Sequence, residues 1–222
     1  MLTKTERKFT AIFILIVIFH LLFSNSSNPT LLHYVTKPII LLSLMAFFNK
    51  TCRHLTSKTK RLMLLALLFS LIGDILLMFV NQSAGFFIFG LIAFLIAHIM
   101  YILVFEKTRN KSKKPYFIIA ILTTYALIIF YFLSAGLGDM LIPVIIYMSV
   151  ILTMATMAFL RQGSVSNMSY NLVFFGAILF LISDSLLALN KFYSPFSFAD
   201  ISIIFTYGLA QLFIVLGVKK QP

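Results

Sequence analysis

Eight runs of near-continuous apolar residues follow one another along the chain, at 9–24, 31–48, 62–80, 86–105, 116–134, 140–160, 171–189 and 201–218. A helix needs about 20 such residues to cross the ~30 Å hydrocarbon core of a bilayer. The fold class expected is therefore all-α, a polytopic membrane bundle of eight transmembrane helices forming a single domain over 1–222. Composition points the same way, with 61% of the 222 residues hydrophobic and 11% charged. Soluble domains run nearer half apolar and a quarter charged, and no soluble fold of this size could hide so many Phe, Leu and Ile side chains. The first run has a basic start, as a signal peptide would. No small-x-small cleavage pattern follows it and seven more apolar runs do, so it reads as a retained first helix.

The breaks between runs carry turn or charged residues, and none is long enough for a soluble domain. Lys and Arg mark the cytoplasmic side of a membrane protein. Sixteen of the 18 basic residues fall at the N-terminus, in the second, fourth and sixth breaks, and at the C-terminus; only Lys37 and Lys191 fall on the other side. Eight spans with both termini cytoplasmic satisfy that pattern. The net charge of +12 then orients the chain and meets anionic headgroups, and no nucleic-acid partner is expected. The one cysteine, Cys52, excludes an internal disulfide and a Cys-based metal cage, and reads as a free cytoplasmic thiol. Short breaks, no targeting extension and this charge pattern suit a bacterial inner (cell) membrane.

A faint internal repeat is visible. LIGDILLM (71–78) resembles LISDSLLA (181–188), aligning Asp74 with Asp184. FLIAHIMYIL (94–103) then aligns with YGLAQLFIVL (207–216), matching His98 to Gln211. Four helices separate the copies, giving a 4+4 arrangement with both halves in one orientation, and membrane repeats often place a site at their interface.

Ionisable side chains inside hydrocarbon are costly and mark functional paths or buried pairs. The runs hold few of them: His20, Lys37, Asp74, His98 and Asp184, with Tyr101, Tyr207 and Gln211 as polar company. Counted from Thr30, Asn81, Lys191 and Asp200, the residues Lys37, Asp74, Asp184 and Tyr207 each lie seven positions in. At 1.5 Å per residue all four sit about 10 Å below the non-cytoplasmic surface. His98 and Gln211 come out deeper and would form the lower wall of a polar pocket. On the fourth run Gly90, Phe94, His98, Tyr101 and Phe105 share a helix face, as do Gly176, Phe180, Ser183, Asp184, Leu187 and Asn190 on the seventh. The competing role for His98, Gln211 and Tyr207 is to hold helices together. His20, alone on its run, reads as structural.

At these residues the chain resembles the YhhN/TMEM86 family, whose characterised members are lysoplasmalogenases. The resembling elements are Lys37-Pro38, Gly73-Asp74, GLIAFLIAHIMY (90–101), GAILFLISDSLLAL (176–189) and TYGLAQ (206–211). They run in order from the second to the eighth helix, while the first, fifth and sixth add nothing diagnostic. The resemblance implies hydrolysis of the vinyl ether bond of a lysoplasmalogen, giving a fatty aldehyde and a glycerophosphoethanolamine or glycerophosphocholine. It implies a lysophospholipid substrate and calls for no metal or organic cofactor, and no protein partner is evident from the sequence. The matching positions are Lys37, Asp74, His98, Asp184 and Gln211.

The chemistry fits such a site. A vinyl ether is hydrolysed by protonating its β-carbon, and water captures the resulting oxocarbenium ion. Two carboxyls in one low-dielectric site divide the work, one as general acid and one as the anion that steadies the cation and orients water. Which aspartate takes which part is open at this point. Lys37 would hold the ionised one or bind the substrate phosphate. The alternative is a proton-coupled lipid or small-molecule transporter using the same acids, although Pro38 and Pro143 lie near helix starts rather than at mid-span. A metal-dependent hydrolase is weakly supported, since zinc sites usually need three protein ligands and only His98 is placed to serve.

Overall fold

The computed structural model describes residues 2–24 and 31–221. The break at 25–30, and with it the Thr30 edge from which the depth of Lys37 was counted, lies outside the described residues. Among these there are eight α-helices: α1 Lys4–Ser24, α2 Leu31–Thr51, α3 Ser57–Leu77, α4 Ala84–Glu106, α5 Tyr116–Leu133, α6 Leu141–Phe159, α7 Asn167–Phe192 and α8 Ala199–Lys219. They fall on the eight apolar runs. Six are long and apolar enough to cross a membrane: α2, α4, α5 with the turn after it, α6 with the turn before it, α7 and α8. α1 and α3 are not among the six, and α3 carries Lys58, Lys60, Arg61 and Asp74 within its length.

Hydroxyl residues start the helices that follow polar breaks. Thr56 Oγ1 accepts from the Thr59 amide at 3.3 Å before α3, and Ser166 Oγ from the Ser169 amide at 3.2 Å before α7. Each satisfies a backbone donor that has no partner in a helix's first turn. At α1 the device is reciprocal: the Thr3 amide donates to Glu6 at 2.9 Å and the Glu6 amide to Thr3 Oγ1 at 3.2 Å. That is a capping box.

The two most extensive helix pairs are α3 with α4 and α7 with α8, the two hairpins on which the aligned stretches 71–78 with 94–103 and 181–188 with 207–216 lie. Both are drawn tight by glycine. A Cβ on Gly73 would stand 2.6 Å from the Phe94 ring, and one on Gly176 would stand 3.0 Å from both the Ala210 carbonyl and the Ile214 amide. Such bare positions let backbones approach closely. α2 packs on α3, α1 and α8, and α6 packs on α4 and α7, while α5 rests on α6 and α7 with lighter contact. The core between them holds Phe48, Met63, Leu67, Tyr101, Phe105 and Phe180, all fully buried. Large apolar side chains also face outward on every helix, among them Leu15, Phe89, Phe117, Leu127 and Phe175. Water would penalise such a surface and lipid would not.

Most of the chain's cations lie toward one end of the bundle, Lys37 and Lys191 toward the other. Buried Glu6 on α1 receives Lys219 Nζ at 2.7 Å and Lys220 Nζ at 2.9 Å from the end of α8, so both ends of the described chain meet there. Burial alone would push the Glu6 carboxyl up; the bonds from Lys219, the Thr3 amide and Lys220 overcome it and bring it down to about 2. Arg161 departs from the expectation that break-region cations meet headgroups. It is fully buried, donating from Nε to Thr108 at 2.8 Å and from Nη2 to Ser169 at 3.1 Å and Gln221 at 3.0 Å. It thus ties the fourth and sixth breaks to the end of the chain. Cys52 is likewise buried, and burial pushes its thiol up to about 11, so it is an inert packing residue.

Candidate active site

At the opposite end the helices part around a cavity of about 360 Å³. α2 contributes His33 and Lys37, α3 Asp74, and α4 Phe87 and Phe94. α7 contributes Ser183, Asp184 and Asn190, and α8 Asp200 and Tyr207. Asn81, Lys191 and Asp200 are exposed at its rim, whereas Asp74, Ser183 and Tyr207 are buried. Of the residues expected from sequence to meet at one depth, Lys37, Asp74, Asp184 and Tyr207 all line it.

The two aspartates keep different company. Lys37 Nζ stands 3.7 Å from Asp74 Oδ1, and the Tyr207 hydroxyl donates to Asp74 Oδ2 at 2.8 Å. Asp74 therefore has a cation on one oxygen and a hydroxyl on the other. Asp184 receives the Tyr147 hydroxyl on Oδ2 at 2.5 Å, and His98 Nε2 lies 3.7 Å from the same oxygen. No lysine or arginine pairs with Asp184 among the described residues. His98 Nδ1 is 2.7 Å from the Phe94 carbonyl. A carbonyl only accepts, so Nδ1 carries a proton, and Nε2 of the neutral ring presents a lone pair. That nitrogen has no hydrogen-bond partner among the described residues, and a lone pair set near a carboxyl oxygen is attractive only when one of the two holds a further proton.

His98 and Gln211 are buried but do not line the cavity, which corrects the expectation that they form its lower wall. They stand behind it. The His98 ring packs edge-on against Phe180 and Tyr147, with centroids 4.6 and 5.4 Å away. Gln211 accepts from the Tyr101 hydroxyl at 2.5 Å and donates to Ser70 at 3.1 Å, a chain joining α3, α4 and α8 in the core. Tyr101 belongs to that chain and does not reach the cavity. Ser183 does line it, with its hydroxyl donated to the Ile203 carbonyl at 2.9 Å. His20 is buried against Thr36 at 2.8 Å, in keeping with a structural part.

Tyr147 was not singled out from sequence, where it is one tyrosine in an apolar run on α6. The usable signal is physical: a buried tyrosine hydroxyl needs a partner, and among so few polar groups a carboxyl is an obvious one. Ser70, one helical turn before Asp74 on the same face, could have been found from that spacing.

Comparison with known proteins bears out the family resemblance. The model of the YhhN family matches residues 32–218, which include every residue of the cavity. The chain is similar to lysoplasmalogenase TMEM86B of Sus scrofa, 30% identical over 158 residues that make up 71% of this chain and 63% of that protein. It is similar to lysoplasmalogenase TMEM86A of Homo sapiens, 26% identical over 207 residues, 92% of this chain and 85% of that protein. The chain thus matches less than two thirds of the length of the pig relative. No solved structure matches. With most of its length matched by that family's model, the chain belongs to the YhhN family.

Proposed function

We propose that this chain is a multi-pass membrane hydrolase that cleaves the vinyl ether bond of lysoplasmalogens, with Asp184 as the general acid and Asp74 as the standing carboxylate. The observation that carries the reading is the unequal company of two aspartates on one cavity. Asp74 is paired with the Lys37 ammonium and is the anion of the two. Among the described residues Asp184 has the Tyr147 hydroxyl and the His98 imidazole and no lysine or arginine, and its approach to His98 calls for a proton.

In this reading the Asp184 proton goes to the β-carbon of the alkenyl chain, leaving an oxocarbenium ion at the α-carbon. Asp74 lowers the energy of that cation and takes a proton from the water that adds to it. The hemiacetal then collapses to a fatty aldehyde and the free glycerol hydroxyl, with one water consumed. Lys191 and His33, toward the mouth, suit the substrate phosphate. Orientation is part of the reading: all eight helices span, both termini are cytoplasmic, and the cavity opens to the opposite face of a bacterial inner membrane. The meeting of Glu6 with Lys219 and Lys220 among the basic breaks supports it. The related names, lysoplasmalogenase TMEM86A and TMEM86B, support the substrate class.

The pairing of α3/α4 and α7/α8 as similar hairpins favours transport as a second reading, and one experiment separates the two. Purified protein is incubated with 1-alkenyl lysophosphatidylethanolamine, with 1-acyl and 1-alkyl analogues as controls, and products are read by lipid mass spectrometry. Aldehyde from the alkenyl lipid alone, lost in Asp74→Asn, is expected. Uptake of intact lipid into vesicles without aldehyde would instead establish transport.

A further inference from the structure

We propose that the cavity continues past Asp184 into an apolar seam between α5, α6 and α7, and that this seam holds the hydrocarbon chain of the lipid. The inference rests on the lipid reading above and deepens it by saying where the chain lies. Asp184 borders three spaces, not one. Besides the polar cavity, it lines a narrow pocket with Leu91, Val144, Tyr147 and Ala188. It also lines a second pocket with Ala126, Ile129, Met148 and Leu152. Phe87, Phe94 and Leu187 are shared between the cavity and the first pocket, and Val144 and Ala188 between the two pockets. Leu152 recurs in a groove of about 330 Å³ between α5 and α6, bounded further along by Thr156 and Leu160.

Polar and apolar space therefore meet at one carboxyl. From Val144 on α6 to Leu160 just past its end the lining runs roughly 24 Å at 1.5 Å per residue, a span suited to a long fatty chain. Four of the hydroxyls along the way are used within the walls. Tyr125 donates to Ser185 at 2.8 Å, Ser185 to the Leu181 carbonyl at 2.8 Å, Thr153 to Ser149 at 2.7 Å and Thr156 to Leu152 at 2.9 Å. Those stretches of wall keep their hydroxyls to themselves and suit methylenes, while Arg109 and Thr123 bound the far groove. α5, one wall of the seam, is lightly packed and can yield to admit a chain from the side. The polarity is also right. A lysolipid in the leaflet at the cavity mouth keeps its headgroup at the rim and points its tail inward, and the seam runs inward from Asp184. The ether carbon joining head to tail would then rest at the junction, beside the acid.

The test uses a 1-alkyl lysophospholipid, which has no vinyl ether to cleave, carrying a diazirine at mid-chain. Wild-type protein in nanodiscs is photolysed with this lipid and its adducts are mapped by peptide mass spectrometry. Adducts within 125–133 and 144–152, displaced by excess 1-alkenyl lipid, are expected. Adducts spread over outward residues such as Leu15, Phe89 and Phe175, with no displacement, would overturn the proposal. Ala188→Phe, at the neck between the two pockets, should raise KM for a long-chain alkenyl substrate roughly tenfold or more and raise it clearly less for a short-chain analogue. Equal loss on both chains in a variant that still melts like wild type would count against the seam. Seam adducts with no aldehyde from the alkenyl lipid would sink the hydrolase reading and keep the chain site; aldehyde with adducts elsewhere would do the reverse.

Discussion

The two ends of this bundle each bury carboxyl groups, and they treat them in opposite ways. Glu6 is closed in by Lys219 at 2.7 Å, Lys220 at 2.9 Å and the Thr3 amide at 2.9 Å. Asp74 has one lysine, at 3.7 Å, and Asp184 has none among the described residues. Glu6 joins α1 to α8, whereas the two aspartates border a cavity of about 360 Å³. The lesson is that burial of an acid does not by itself indicate chemistry. An acid saturated with close cations fastens helices; one left short of partners beside open volume is available to react.

The sharpest way to break this contrast is to remove the charge at each end in turn. Asp184→Asn should lower kcat by roughly 10²- to 10⁴-fold, the range for a lost general acid, with little change in melting temperature. A variant that melts early but turns over normally once folded would reverse the assignment. Lys37→Met is expected next in size. It leaves Asp74 buried without its cation, a loss of about 3–5 kcal/mol for a broken buried pair, visible as lower stability together with lost turnover. Glu6→Gln should cost about 1–3 kcal/mol and leave kcat of the folded fraction unchanged.

Acid sharpens the Glu6 arm. The Glu6 carboxyl lies at about 2 when folded against 4.5 ordinarily. The folded state thus binds its proton less readily than the unfolded one. Its stabilisation is complete above about 4.5 and is lost as pH falls towards 2. Thermal melts from neutral pH down through that window should show a decline that is shallower in Glu6→Gln. The smallest expected effect is at Tyr147→Phe, which removes one hydroxyl from Asp184 and should change turnover about fivefold, as for a single hydrogen bond near 1 kcal/mol.

Much of this was legible beforehand because hydrocarbon makes two things conspicuous. Apolar length marked all eight helices, and the cost of polarity singled out Lys37, Asp74, Asp184 and Tyr207. Helical spacing says which side of a helix a residue occupies, but not which neighbour covers that side. His98 and Gln211 were accordingly expected at the cavity wall and are found behind it. Arg161 looked like one more surface cation because loop position says nothing of burial. Tyr147 was passed over because tyrosine is ordinary in an apolar run until its hydroxyl has a known partner. The seam beside α5 had no signal at all, since residue types describe walls and not the space between them.

The bare α-carbon of Gly73 has a consequence that charge does not describe. The Phe94 ring lies against it, 2.6 Å from where a methyl would stand. That ring meets Tyr207 edge-on with centroids 5.9 Å apart, and Tyr207 holds Asp74 at 2.8 Å. Glycine, ring, phenol and acid form a train of parts in which each sets the position of the next. Alanine at 73 would add no polar atom and remove none, yet it would displace the first part and so move the last. The acid is thus aimed by an absence of bulk, and evolution can retune this site with a single methyl as readily as with a change of functional group.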